Sequence, residues 1–104
     1  MTLEINAPEA QRKLAAGRAV LIDVREPYEY AAAHAPQAEL IPLMQLRSRM
    51  EELPPDHEIL FICETGNRSL TAAYWARERG LNAASVAGGT SIWRPHGLPV
   101  ERGL

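Results

Sequence analysis

Cysteine is nearly absent from this chain: Cys63 is the only one. An internal disulfide is excluded, and so is a resolving thiol within the chain. Any covalent adduct on Cys63 must therefore be discharged by an outside molecule. Basic clusters are missing too. The net charge is -2, and no face gathers lysine and arginine, which argues against a nucleic-acid partner. The apolar runs are far shorter than a membrane span, which argues against a membrane partner. The first residues, Met1-Thr2-Leu3-Glu4-Ile5-Asn6, lack the basic start and apolar stretch of a secretory leader, so a cytoplasmic location is the expectation. His34, His57 and His96 are scattered, with no i, i+4 pair among them, so no metal site is expected.

What is present has the balance of an ordinary globular protein, 46% hydrophobic and 23% charged, and residues 1–104 suit one domain. Leu3 to Ile5 reads as a short strand. Asn6 reads as a helix cap, with Pro8 in the first turn and Gly17 past the end. Ala19 to Val24 is nearly all apolar, as in a central parallel strand. Pro27 opens a helix through Ala33, and Glu39 to Ile41 is a short strand stopped by Pro42. Leu43, Leu46, Met50 and Leu53 recur at helical spacing, up to Pro54-Pro55. A buried strand ends at Ile62. A helix follows through Leu70 to Arg77, closing before Gly80. Ala83 to Ala87 is a last strand, and Thr90 to Trp93 a short helix. Strands alternating with helices predict an α/β fold, a parallel sheet covered on both faces. Ligands in such folds sit at the carboxyl ends of strands, where Cys63 falls.

The run Cys63-Glu64-Thr65-Gly66-Asn67-Arg68-Ser69 lies between that strand and that helix. The position aims loop N–H groups and the helix dipole at the sulfur, which favours the reactive thiolate. Gly66 permits backbone angles denied to other residues, and Asn67 tolerates left-handed geometry, so the two predict an anion nest. Arg68 stands at the end of the helix where the dipole disfavours a cation, which assigns it to an anionic donor or to the thiolate, with a surface pair to Glu64 as the bland alternative. Ser69 is expected to cap the helix, with donation to the sulfur as the alternative, and Glu64 to face solvent. Asp23 and Arg25 end the second strand near the same edge. They either orient the loop by hydrogen bonds or form a structural ion pair involving Glu29. Trp75 and Trp93 are read as core residues, with the pocket mouth as the alternative for Trp93.

Three segments resemble a single-domain rhodanese, a sulfurtransferase. They are Leu21-Ile22-Asp23-Val24-Arg25-Glu26-Pro27-Tyr28-Glu29-Tyr30, continuing through His34, Pro36 and Ala38 to Ile41-Pro42; the Cys63–Ser69 loop; and Val86-Ala87-Gly88-Gly89 with Trp93 and Gly97-Leu98-Pro99-Val100. Ala33-His34-Ala35-Pro36-Gln37-Ala38 departs from the Gly-His-Ile-Pro-Gly-Ala frequent in that family, which predicts altered packing. Glu64 is acidic where many family loops carry a basic or neutral residue. The resemblance implies a three-layer α/β/α fold with a five-stranded parallel sheet ordered 1-5-4-2-3. It also implies sulfur transfer without a cofactor: Cys63 takes a sulfane sulfur from a small donor such as thiosulfate, becomes a persulfide, and passes the sulfur to cyanide or to an external thiol or protein acceptor.

Two other readings share these features. Phosphatases and arsenate reductases of related fold use a C-x5-R loop, whereas Cys63 to Arg68 is C-x4-R, a tighter cradle suited to sulfur. A rhodanese-fold module acting only as a sulfur carrier would keep the same loop.

Overall fold

The computed structural model describes residues 3–104; Met1 and Thr2, at the start of the stretch read above for a leader, lie outside the described residues. Five strands, β1 (Glu4–Ile5), β2 (Ala19–Asp23), β3 (Ala38–Leu40), β4 (Glu58–Ile62) and β5 (Ala83–Val86), form one parallel sheet in the order β1-β5-β4-β2-β3. This is the predicted topology. The central β4 is paired on both sides, with Leu60 opposite Leu21 and Ala84, and that explains why it reads as an unbroken apolar run.

The strand period of two sends alternate side chains to opposite layers. Ile59 and Phe61 face one cluster with Ile22, Leu46, Met50 and the alanines Ala72, Ala73 and Ala76. Leu60 and Ile62 face the other, with Leu21, Ala7, Ala10, Val86 and Trp93. Full burial of a side chain such as Phe61 or Leu60 contributes about 1.5–3 kcal/mol. The three alanines lie on α4 (Asn67–Glu78) and let that helix sit close against the sheet. Helices α1 (Ala7–Ala15) and α5 (Gly89–Trp93) cover the opposite face. Asn6 caps α1 as predicted, its side chain accepting from Glu9 N at 2.9 Å. Helix α2 (Pro27–Ala32) starts at Pro27 and ends one residue sooner than predicted, with Ala33 extended.

The predicted helix from Leu43 to Leu53 is in fact two pieces. A single α-helical turn, α3 (Leu43–Leu46), passes into a 3₁₀ segment, Arg47–Glu52. In a 3₁₀ helix residues i and i+3 eclipse, and Arg49 pairs with Glu52 through two bonds of 3.0 Å. Pro54 then holds Leu53 extended, and the segment ends. Trp93 is fully buried as predicted, and its indole N–H donates to Pro99 O at 2.9 Å. Trp75 is only partly buried, packing against the core while the Arg47 guanidinium lies 4.1 Å from its ring centre. Among the described residues no helix is long and apolar enough to cross a membrane.

Candidate functional site

Cys63 follows directly on β4, and α4 begins four residues later at Asn67. The turn between them depends on Gly66, the residue preceding α4, whose φ of +108° is closed to most side chains. Asn67 does not share that role: no residue other than glycine has positive φ among those described, and Asn67 is the first residue of the helix.

The turn folds two N–H donors and a hydroxyl onto the sulfur. Gly66 N–H lies 3.1 Å from Sγ, Ser69 N–H 3.4 Å, and the Ser69 hydroxyl 3.3 Å. Burial pushes the Cys63 thiol up. The hydrogen bond from the Ser69 side chain, with the N–H groups of Ser69, Gly66 and Thr65, outweighs it and holds the thiol below its ordinary range. Of its two expected roles, Ser69 takes the one at the sulfur and does not cap the helix. It stands in the first turn of α4, fully buried, with its hydroxyl between Cys63 Sγ and Ser85 Oγ at 2.7 Å. The N-cap position belongs to Gly66, which offers no side chain for that purpose.

Glycine also explains how a second loop reaches the cysteine. Thr90 N–H and Thr90 Oγ1 donate to Cys63 O at 2.8 and 3.1 Å, and Ser91 N–H donates to Glu64 O at 3.0 Å. A Cβ at Gly89 would collide with the Cys63 carbonyl and lie 2.7 Å from the Glu64 carbonyl oxygen. The Gly88-Gly89 pair is what lets the β5–α5 turn lie against the cysteine loop.

The charged residues pair differently from the prediction. Glu64 is half exposed, but its carboxylate accepts from Arg25 Nη1 at 3.0 Å instead of standing free in solvent. Arg25 is buried and also forks onto Asp23, with Nε–Oδ1 at 3.0 Å and Nη2–Oδ2 at 2.9 Å. Of the two readings, the structure combines both: Asp23 and Arg25 form a buried ion pair, and through Glu64 that pair touches the loop. Burial works against the Arg25 charge, and the hydrogen bonds and charge of Asp23, with the charges of Glu64 and Glu29, raise its pKa overall. Arg25 Nη2 further donates to Ala33 O at 2.7 Å, so the segment that departs from the family pattern touches the site's framework directly.

Arg68 meets neither Glu64 nor the sulfur by hydrogen bond. Its two terminal nitrogens lie 2.8 and 2.9 Å from the carboxylate of Glu29 on α2. That fork, set against burial and joined by the Glu26 backbone and by Arg25, pulls the Glu29 carboxyl down to about 2. A cleft of about 520 Å³ opens beside these residues, lined among others by Arg25, Glu29, Glu64, Thr90, Arg94 and Arg102. Glu29 as the partner of Arg68 and Ser85 as the partner of Ser69 were not found from the sequence. The signal for Ser85 was there, a lone hydroxyl in the buried strand Ala83-Ala84-Ser85-Val86.

A cysteine held by loop amides at the carboxyl end of the central strand of a five-stranded parallel α/β sheet defines the class. The chain belongs to the rhodanese-like domain family, whose model matches residues 6–96. It is 32% identical over 102 residues to a sulfurtransferase of Allochromatium vinosum, covering 96% of this chain and 95% of that one. Among solved structures it is similar to a rhodanese-related protein from Thermoplasma volcanium, with a TM-score of 0.89 and 32% identity over 96% of this chain and 98% of that one. It is also similar to a thiosulfate sulfurtransferase from Pseudomonas aeruginosa, with a TM-score of 0.89 and 29% identity, covering 99% of this chain but 21% of the larger protein.

Proposed function

We propose that the chain is a sulfurtransferase whose working group is the Cys63 thiolate. In the first half-reaction the thiolate attacks the outer sulfur of an anionic donor such as thiosulfate. A bond forms from Sγ to that sulfur, the bond to the sulfite sulfur breaks, and sulfite leaves with the electron pair. The product is a persulfide on Cys63. In the second half-reaction cyanide, or the thiolate of a small molecule or protein, attacks the outer sulfur, and Cys63 departs as thiolate, ready for another cycle. The scheme needs no cofactor and no second cysteine.

The observation that carries this reading is the convergence of the Gly66 N–H, the Ser69 N–H and the Ser69 hydroxyl on one sulfur. Donors aimed at a sulfur favour its anionic form, which is both the nucleophile and the leaving group here. The names of the Allochromatium and Pseudomonas relatives support sulfur transfer, and the latter supports thiosulfate as donor. Oxyanion chemistry on phosphate is disfavoured because the Arg68 fork is already closed on Glu29. A reducing, cytoplasmic setting suits a lone reactive thiol.

The test is steady-state formation of thiocyanate from thiosulfate and cyanide. Turnover by the wild type, abolished in Cys63→Ser, is the expected result. Cys63-dependent turnover of an aryl phosphate without thiocyanate would overturn the reading. Rapid loading of one sulfur followed by negligible turnover would assign the chain a carrier role instead.

A further inference from the structure

Ser85 is a fully buried hydroxyl on the face of β5 that looks onto α4, and the chemistry above makes no use of it. Its strand neighbours there are Ala83 on the same face, Phe61 opposite it in register on β4 and Glu4 opposite it in register on β1. A buried hydroxyl proton needs an acceptor, since none is supplied by water. Among the described residues the Ser85 hydroxyl meets one side-chain partner, Ser69 Oγ at 2.7 Å. Ser69 Oγ meets two, Ser85 Oγ and Cys63 Sγ.

We propose that Ser85 is a positioning residue for the cysteine: its hydroxyl donates to Ser69 Oγ, which leaves the Ser69 proton to point at Sγ and favours thiolate over thiol. The proposal rests on the reading of Cys63 as the nucleophile. The direction follows from counting protons. With Sγ as thiolate, the Ser85 proton sits on Ser69 Oγ and the Ser69 proton sits on Sγ, so each hydrogen has an acceptor. With Sγ protonated, the S–H turned to Ser69 Oγ sends the Ser69 proton back toward Ser85, and the Ser85 proton then loses the one side-chain acceptor it meets. Protonating the cysteine thus costs a hydrogen bond two residues away. Ser85 acts on the sulfur only through Ser69, and this gives the relay a signature that a packing role lacks.

The experiment titrates the ultraviolet absorbance of the thiolate in wild type, Ser69→Ala, Ser85→Ala and the double variant, against Cys63→Ser as blank. Because Cys63 is the only cysteine, the signal reports that sulfur alone. Ser85→Ala is expected to move the midpoint to higher pH, lowering the thiolate fraction below the midpoint about threefold to tenfold. The double variant should titrate like Ser69→Ala. A Ser85→Ala midpoint equal to that of the wild type, or two effects that add in full, would overturn the relay. Should Ser85→Ala not fold, the unaltered protein still decides: the carbon-13 resonance of Ser85 Cβ must shift with the Cys63 midpoint, and a flat response rejects the proposal. Neither titration requires sulfur transfer. A wild type that takes up no sulfur but shows the coupled titration would remove the functional reading and keep the relay, while sulfur uptake with an uncoupled titration would remove the relay alone.

Discussion

The guanidinium of Arg68, on the first turn of α4, closes a two-bond fork on the carboxylate of Glu29, on the first turn of α2. The two residues lie 39 apart in sequence. Their bond ties the helix that follows the cysteine to the helix that follows β2, so the loop between Cys63 and Arg68 is anchored at its far end. The same bond answers why a cation stands at the unfavourable end of a helix dipole: a carboxylate faces it there.

That fork makes stability depend on acid. Glu29 titrates at about 2 in the folded chain against an ordinary value of 4.5, so the unfolded chain binds this proton first as pH falls. The contribution of the pair is complete above pH 4.5 and is lost as pH drops from there through about 2. Glu29→Gln should therefore melt lower than wild type at neutral pH, and the gap should close toward pH 2. Melting curves across that range check this; a gap that stays constant would show that the carboxylate contributes no charge-dependent stability.

Arg25 carries a second, more buried pair. Removing it strands the fully buried Asp23 carboxylate and frees Ala33 O and Glu64. Arg25→Ala should destabilise the fold by about 3–5 kcal/mol, the usual cost of leaving a buried charge alone. Arg25→Lys should recover only part of this, because an ammonium cannot reproduce the planar fork onto Asp23. Urea denaturation of the two variants gives the comparison, and equal stability of Lys and Arg at this site would contradict the geometry.

Gly89 tests the contact between the two loops. Its φ of +57° already costs a non-glycine residue about 1–2 kcal/mol, and an added Cβ collides with the Cys63 carbonyl. Gly89→Ala should lose that much stability or more and should lower kcat/KM for sulfur transfer at least tenfold by displacing the cysteine. Gly17→Ala, with a similar φ of +72° and no atom near the added carbon, should lose comparable backbone energy and leave kcat/KM unchanged.

Glu64 sits at the cleft with half its side chain exposed, paired to Arg25. Replacing it by Gln removes a negative charge and leaves Arg25 Nη1 with a neutral partner. KM for the doubly anionic thiosulfate should fall about twofold to fivefold at low ionic strength, and the difference should shrink as added salt screens it. An unchanged KM at low salt would show that the donor does not sense this carboxylate.

These residues also show where the sequence is readable. The strands themselves were legible in the apolar runs, because a strand buried on both faces has little freedom of composition; their order came from the resemblance alone. Cys63 and Gly66 were legible because one is chemically singular and the other is sterically singular. The partners of Arg68 and Glu64, and Ser85 as the second partner of Ser69, were not, since each choice is made between separate elements after folding. A serine at the third position of the helix reaches back to cap it or faces the sulfur according to the path of the preceding turn, and Gly66 sets that path. Leu43 to Leu53 kept helical spacing while the backbone tightened to 3₁₀, because a spacing of three or four residues suits both forms.

The central claim is that Cys63 becomes a persulfide, and intact-mass measurement after exposure to thiosulfate addresses it directly. The account predicts a gain of one sulfur atom on the wild type, no gain on Cys63→Ser, and reversal by cyanide with release of thiocyanate. A wild type that gains no sulfur from thiosulfate, 3-mercaptopyruvate or a glutathione persulfide would contradict it.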